Sequence, residues 1–187
     1  MVSAWEFNES DGIHPTATHQ YSPNKEVPIS VIEALGVEFK SIPLAEDGSH
    51  ADAAEQWVKQ NRAGYEKKTK EVTSRAALGE KFESKLKNGY GEHFHSADEI
   101  RFNTAGAGYF DVRDASDKWI RVTWGPGELI SVPEGLWHRF TVDTGEFAEE
   151  FRWWPTEKAW KRFDRTDPSA ESAPSRQEYL QKYSKAG

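Results

Sequence analysis

The chain has 187 residues and no cysteine, and Met1 is its single methionine. Without cysteine there is neither a disulfide framework nor a thiolate metal site. Long hydrophobic runs are also missing: no apolar stretch approaches the roughly 20 residues needed to cross a bilayer. A basic excess is absent too. Lys and Arg total 24 against 31 Asp and Glu, for a formal net charge of -7, the opposite of a nucleic-acid-binding balance. The N-terminus carries Glu6, Glu9 and Asp11 where a secretory leader needs a basic segment followed by an apolar one. Together these absences describe a cytoplasmic or nuclear protein that binds neither nucleic acid nor membrane.

What remains is a polar chain rich in large aromatics, with eight tryptophans and ten phenylalanines. Such side chains fill a barrel interior or line a pocket, although most are ordinary core. The length fits one domain over residues 1–187, large enough for its own core.

Residues 1–90 read as a helical and loop region. Pro28 leads into Ser30, and Glu33 three residues on completes a capping box for a short helix stopped by Gly36. Ser49 with Asp52 opens a second helix with Ala53, Ala54, Trp57 and Val58 on its inner stripe. A third, from Ser74 to Asn88, spaces Leu78, Phe82 and Leu86 at helical intervals and ends at Gly89.

After Gly89 the period becomes two. Residues 92–103, 107–113, 118–124, 128–132 and 137–143 read as short strands divided by turns such as Gly125-Pro126-Gly127 and Pro133-Glu134-Gly135. Regular short strands imply a mainly β sandwich or barrel, with its core over residues 91–163. Residues 164–187 read as a mobile C-terminal extension. Gly106-Ala107-Gly108 mimics part of a dinucleotide fingerprint, but strand rather than helix follows it, so it marks a hairpin.

The chemistry lies in the barrel half. His93 and His95 are two apart, so on a strand both rings leave one face, and Glu99 and Arg101 share their parity. In Leu136-Trp137-His138-Arg139-Phe140-Thr141-Val142-Asp143, His138 shares its face with Phe140 and Val142. One inward histidine is usually a hydrogen-bonded core residue. Three histidines and a carboxylate facing inward together cost several kcal/mol of desolvation each without a cation. His93, His95, Glu99 and His138 are therefore the expected ligands of one metal ion per chain. Nitrogen-rich donors with one negative charge suit Fe(II), Ni(II), Co(II), Mn(II) or Zn(II) better than Ca or Mg. Arg101 is either an anchor for an anionic ligand or half of a structural ion pair with Glu99 or Glu128. His14, His19 and His50 lie in polar stretches and read as solvated.

Glu92-His93-Phe94-His95-Ser96-Ala97-Asp98-Glu99-Ile100-Arg101-Phe102 and Gly106-Ala107-Gly108-Tyr109-Phe110-Asp111-Val112-Arg113-Asp114 resemble the acireductone dioxygenases. So do Gly127-Glu128-Leu129-Ile130-Ser131-Val132-Pro133 and His138-Arg139-Phe140-Thr141-Val142-Asp143. The resemblance covers most of residues 20–167 and implies a cupin-type β-barrel (jelly roll) with the four ligands on Fe(II) or Ni(II). It implies an enediol substrate, a methylthio-substituted acireductone of methionine salvage, cleaved with O2. Iron gives formate and a 2-keto acid, and nickel releases carbon monoxide. Arg101 matches the family's arginine that stabilises the bound dianion, the expected catalytic role. The chain departs from the family pattern at Gly89, where the family has an aromatic, at Asn103, usually apolar, and at Phe151-Arg152-Trp153-Trp154, where the family reads Met-Arg-Leu-Phe. With Phe140, the positions Gly89, Asn103, Trp153 and Trp154 form the candidate substrate pocket. Their changes open the alternative of a paralogue acting on another enol or diketone as oxygenase, isomerase or cyclase. A non-catalytic metal-binding module is the third reading.

Overall fold

The computed structural model describes residues 2–183. Its first half runs β1 (Ala4–Glu6), α1 (Ile29–Ala34), β2 (Glu38–Ser41), α2 (His50–Asn61), β3 (Lys67–Ser74), α3 (Arg75–Leu78), a 3-10 turn and α4 (Phe82–Tyr90). Seven strands follow closely: β4 (His93–His95), β5 (Glu99–Gly106), β6 (Gly108–Arg113), β7 (Trp119–Trp124), β8 (Glu128–Val132), β9 (His138–Val142) and β10 (Phe147–Trp154). The described chain ends with β11 (Arg162–Asp164) and α5 (Pro174–Tyr183).

The strands form two antiparallel sheets in the orders β1-β7-β6-β9-β4-β11 and β2-β8-β5-β10-β3. Alternation decides what each face does. Phe110, Val112, Ile120 and Val122 from the first sheet share one buried cluster with Ile130, Val132 and Ala148 from the second, so these inner faces close on one core. The outer face of the second sheet carries Ile100, Phe102, Leu129 and Trp153, which α2 covers with Ala54 and Val58. On the outer face of the first sheet, Phe94 of β4 and Phe163 of β11 cluster with Trp137, Ala170 and Ala173. At the β5–β6 hairpin Gly106 has φ +73, and an added Cβ would lie 2.0 Å from the Phe147 carbonyl oxygen. Only glycine fits that turn.

The first half differs from the expectation of helix and loop, because β1, β2 and β3 all lie within it. β3 is an edge strand beside β10, with residues 67–70 exposed and its single buried residue Thr73. A lysine-rich edge shows little apolar alternation, and it also blocks sheet-to-sheet association. The Ser30–Glu33 capping box does not form: Pro28 is the N-cap of α1 and no side chain caps it. Proline's fixed φ starts the helix ahead of Ser30. In α2, Ala53 is exposed while Ala54 and Val58 are buried.

The extension expected to be mobile instead carries α5, whose Tyr179 is buried and donates from its hydroxyl to the Leu35 carbonyl at 3.1 Å. Residues 184–187 of that extension lie outside the described residues. His19, expected in solvent, is also buried. Its ring stacks on Phe7 at 4.3 Å and bonds Asp11 at 2.8 Å and the His14 carbonyl at 3.0 Å.

Candidate metal centre

β4, β5 and β9 bring four side chains to one point inside the barrel. His93 on β4 pairs in register with His138 on β9. His95 lies two residues along β4 from His93, and Glu99 opens β5. One ligand atom from each of the four lies within 4.8 Å of the others, and all four residues are buried.

Local hydrogen bonds set the direction of two rings. His93 Nδ1 lies 2.6 Å from the Gly91 carbonyl, and His138 Nδ1 lies 2.8 Å from the Leu136 carbonyl. A carbonyl only accepts, so each Nδ1 carries a proton and each Nε2 is turned to the centre. The Glu99 carboxylate divides its two oxygens. Oε2 lies 3.0 Å from His95 Nε2 and 3.3 Å from His138 Nε2, while Oε1 accepts from Arg101 Nε and lies 3.7 Å from Arg152 Nη2. His138 Nε2 thus faces a Glu99 carboxylate oxygen across 3.3 Å.

Burial, then the neighbouring His138 and His95, push the His93 pKa down to about 2. Burial takes His95 down to about 4, against the pull of Glu99. Burial would raise Glu99, but Arg101, His138 and His95 outweigh it and hold the carboxyl well below its ordinary range. Two of the imidazoles are therefore neutral and the carboxylate is ionised at neutral pH, the state metal binding requires. The donor set fits a divalent transition metal. His95 Nδ1 has no hydrogen-bond partner among the described residues, and its ring lies against Trp160 with centroids 4.2 Å apart.

Arg101 is buried between two carboxylates. Its Nε donates to Glu99 and its Nη1 to Glu150 at 3.1 Å. Burial would lower the guanidinium pKa, but Glu150 and Glu99 raise it overall. Burial raises the Glu150 pKa in spite of Arg101 and Arg152. Of the two ion-pair partners expected, Glu99 is found; Glu128 Oε2 accepts from the Gly125 N–H at 2.8 Å. Glu150 lies opposite Asn103, two residues along β10 from Arg152, which pairs with Arg101, so it reaches the guanidinium on the inner face.

A cavity of ≈ 240 Å³ opens onto the centre, with His93, His95, Arg101, Gly89, Phe140 and Trp154 among its lining residues. Two expected pocket residues do not line it. Trp153 points to the outer face of its sheet, in the cluster under α2, because neighbours on a strand face opposite ways and Arg152 and Trp154 hold the inner one. Asn103 lies on the inner face but is fully buried, with its amide donating to the Gly106 carbonyl at 3.3 Å. The lining also includes Thr73, Lys85, Arg152, Trp160 and Arg162, which sequence reasoning missed. Strand parity from Trp154 could have found Arg152; the others depend on distant pairings.

The ARD/ARD' family model matches residues 3–162, a span that contains all four metal-site residues. The chain is 33% identical over 180 residues to the acireductone dioxygenase of Gallus gallus, covering 96% of each chain. It is 35% identical over 166 residues to that of Neurospora crassa, covering 89% of this chain and 88% of the relative. The solved acireductone dioxygenase from Bacillus anthracis, with a cadmium ion in its active center, shares the fold at TM-score 0.60 and 22% identity. That match covers 73% of this chain and 91% of the solved one. A cupin-type barrel with this span of similarity makes the chain a member of the acireductone dioxygenase (ARD/ARD') family.

Proposed function

We propose that the chain is a metal-dependent dioxygenase that cleaves an acireductone with O2, as in methionine salvage, with one Fe(II) or Ni(II) on His93, His95, Glu99 and His138. The observation that carries the reading is the convergence of buried His93, His95, Glu99 and His138, whose ligand atoms all lie within 4.8 Å of one another. Three imidazoles and one carboxylate brought together in this way are the donor set of a divalent transition metal. Bound there, the ion supplies Lewis acidity that chelates an enediolate and makes it reactive towards dioxygen.

The chain's own residues do the rest. Gly91 and Leu136 hold the tautomers of His93 and His138 through their carbonyls. Arg101 and Arg152 turn Glu99 Oε1 away from the imidazoles, leaving Oε2 for the centre. Phe140, Trp154 and Trp160 wall the cavity and limit water around the reacting carbons. The charges also balance. Arg101, Arg152 and Lys85 are paired among Glu71, Glu99 and Glu150. Adding a dication to these three cations and three carboxylates leaves two positive charges, which an enediolate dianion neutralises. On this reading the chain acts on a small-molecule substrate in the cytoplasm or nucleus.

A second reading keeps the metal and changes the enol. It is favoured by the cavity wall, where Lys85, Asn88, Arg152 and Arg162 stand beside one aliphatic side chain, Leu86. Both readings are tested by anaerobic loading with Fe(II) or Ni(II), followed by methylthio acireductone and oxygen. Loss of the enediolate absorbance with formate or carbon monoxide release supports the first. Absence of turnover by a fully loaded protein, with turnover of an acireductone carrying a polar side chain, supports the second.

A further inference from the structure

Arg162 lines the metal cavity, yet its guanidinium is turned to the backbone. Nη1 donates to the Asn88 carbonyl at 2.8 Å, Nη2 to the Gly91 carbonyl at 3.4 Å, and Nε to Asp164 at 2.7 Å. A group held this way at three nitrogens is a poor substrate anchor and a good clamp. The two carbonyls belong to the exit of α4, where the last turn leaves acceptors without helical partners. Gly91 also caps the helix through its own N–H to Lys87.

We propose that Arg162 is a positioning residue for the metal ligand His93, acting through the Gly91 carbonyl. That carbonyl is shared: it accepts from His93 Nδ1 at 2.6 Å and from Arg162 Nη2. Its two lone pairs allow both bonds. By fixing the Gly91 peptide, the arginine fixes the acceptor that sets the His93 ring and its tautomer. Two further features match this role. An added Cβ on Gly91 would lie 3.0 Å from Arg162 Nη2, so the guanidinium packs closely against this peptide. β11 pairs β4 with Arg162 opposite His95 and Asp164 opposite His93, which puts the arginine on the ligands' face. Asp164, itself exposed, anchors Nε from the same strand. Outer partners of metal-bound histidines typically change metal affinity about 10–100-fold when lost.

The inference rests on the metal assignment, and the test separates the two. Wild type, Arg162→Ala and Arg162→Lys are prepared metal-free with 15N-labelled histidine, their folds compared by near-UV circular dichroism, and each is titrated with Co(II). The ring N–H resonances shifted by the paramagnetic ion are then recorded. Arg162→Ala should bind Co(II) about ten- to a hundred-fold more weakly and lose the His93 Nδ1–H signal to solvent exchange. The His138 signal, protected by Leu136 on another loop, should persist and serves as the internal control. Arg162→Lys, which cannot bridge both carbonyls, should fall between the two and decides the matter where the alanine variant does not fold. Wild-type affinity with both N–H signals intact in the folded variants would overturn the clamp and leave the metal site standing. A wild type that takes up no Co(II) would overturn both.

Discussion

Arg101 and Glu150 form an ion pair inside the barrel, Nη1 to Oε1 at 3.1 Å, with Glu150 only 2% exposed. When a metal draws on Glu99, Glu150 becomes the carboxylate that holds the Arg101 guanidinium in place. Glu150→Ala should therefore destabilise the protein by about 3–5 kcal/mol, as expected when one partner of a buried pair is removed. It should also lower kcat/KM more than it changes metal affinity. Denaturant unfolding and steady-state kinetics check this. Wild-type stability in the alanine variant would mean the pair contributes nothing.

Acid should weaken the metal-free fold at mild pH. His93 and His95 titrate near 2 and 4 when folded and near the ordinary value of about 6.5 when unfolded. Between those values the unfolded chain binds more protons, so stability is full above about pH 6.5 and falls as pH drops. Each of the two histidines contributes a slope of up to about 1.4 kcal/mol per pH unit. Depression of the Glu99 pKa adds a loss only at lower pH, below the ordinary carboxylate range. Urea unfolding of metal-free protein at pH 7, 6 and 5 measures it, and a flat profile over that range contradicts the histidine environment described.

Adjacent tryptophans should behave oppositely. Trp153 is 1% exposed and packs under α2, so Trp153→Ala should cost about 3–5 kcal/mol and leave substrate preference unchanged. Trp154 meets Trp160 edge-on at 4.8 Å in the cavity wall. Trp154→Ala should alter KM and the ranking of substrate side chains, with a smaller loss of stability. Thermal unfolding and kinetics on two acireductones distinguish the pair.

Gly89 should resist enlargement. A Cβ there would lie 3.0 Å from the Phe140 carbonyl oxygen, and Phe140 lines the cavity. Gly89→Ala gains roughly 1 kcal/mol of helix propensity, but the backbone of β9 must move to admit the methyl group. The expected outcome is no gain in Tm and a raised KM. A clear rise in Tm with unchanged KM would show that β9 yields easily.

The convergence of the four candidate ligands was legible because its parity is local. His93, His95, Glu99 and Arg101 share one face through simple alternation, and His138 announces its own face through Phe140 and Val142. Where parity was ignored, the reading erred: Trp153 and Trp154 are neighbours on a strand and cannot both face one cavity. Glu150 shares the parity of Arg152 and Trp154, but its meeting with Arg101 depends on the register of β10 against β5, which lies far off in the chain. Arg162 depends on the pairing of β11 with β4, far apart in the chain. β3 was missed for a different reason. As an edge strand it has almost no buried face to print an apolar alternation, and the contacts that fix it come from β10.

The most direct test of the account is X-ray absorption on Fe(II)-loaded protein, with His138→Ala beside it. One iron per chain with three imidazoles and a carboxylate oxygen in wild type, falling to two imidazoles in the variant, is the predicted result. Fewer than three imidazoles in wild type, or a spectrum unchanged by the substitution, would contradict the assignment of His93, His95, Glu99 and His138 as a single metal centre.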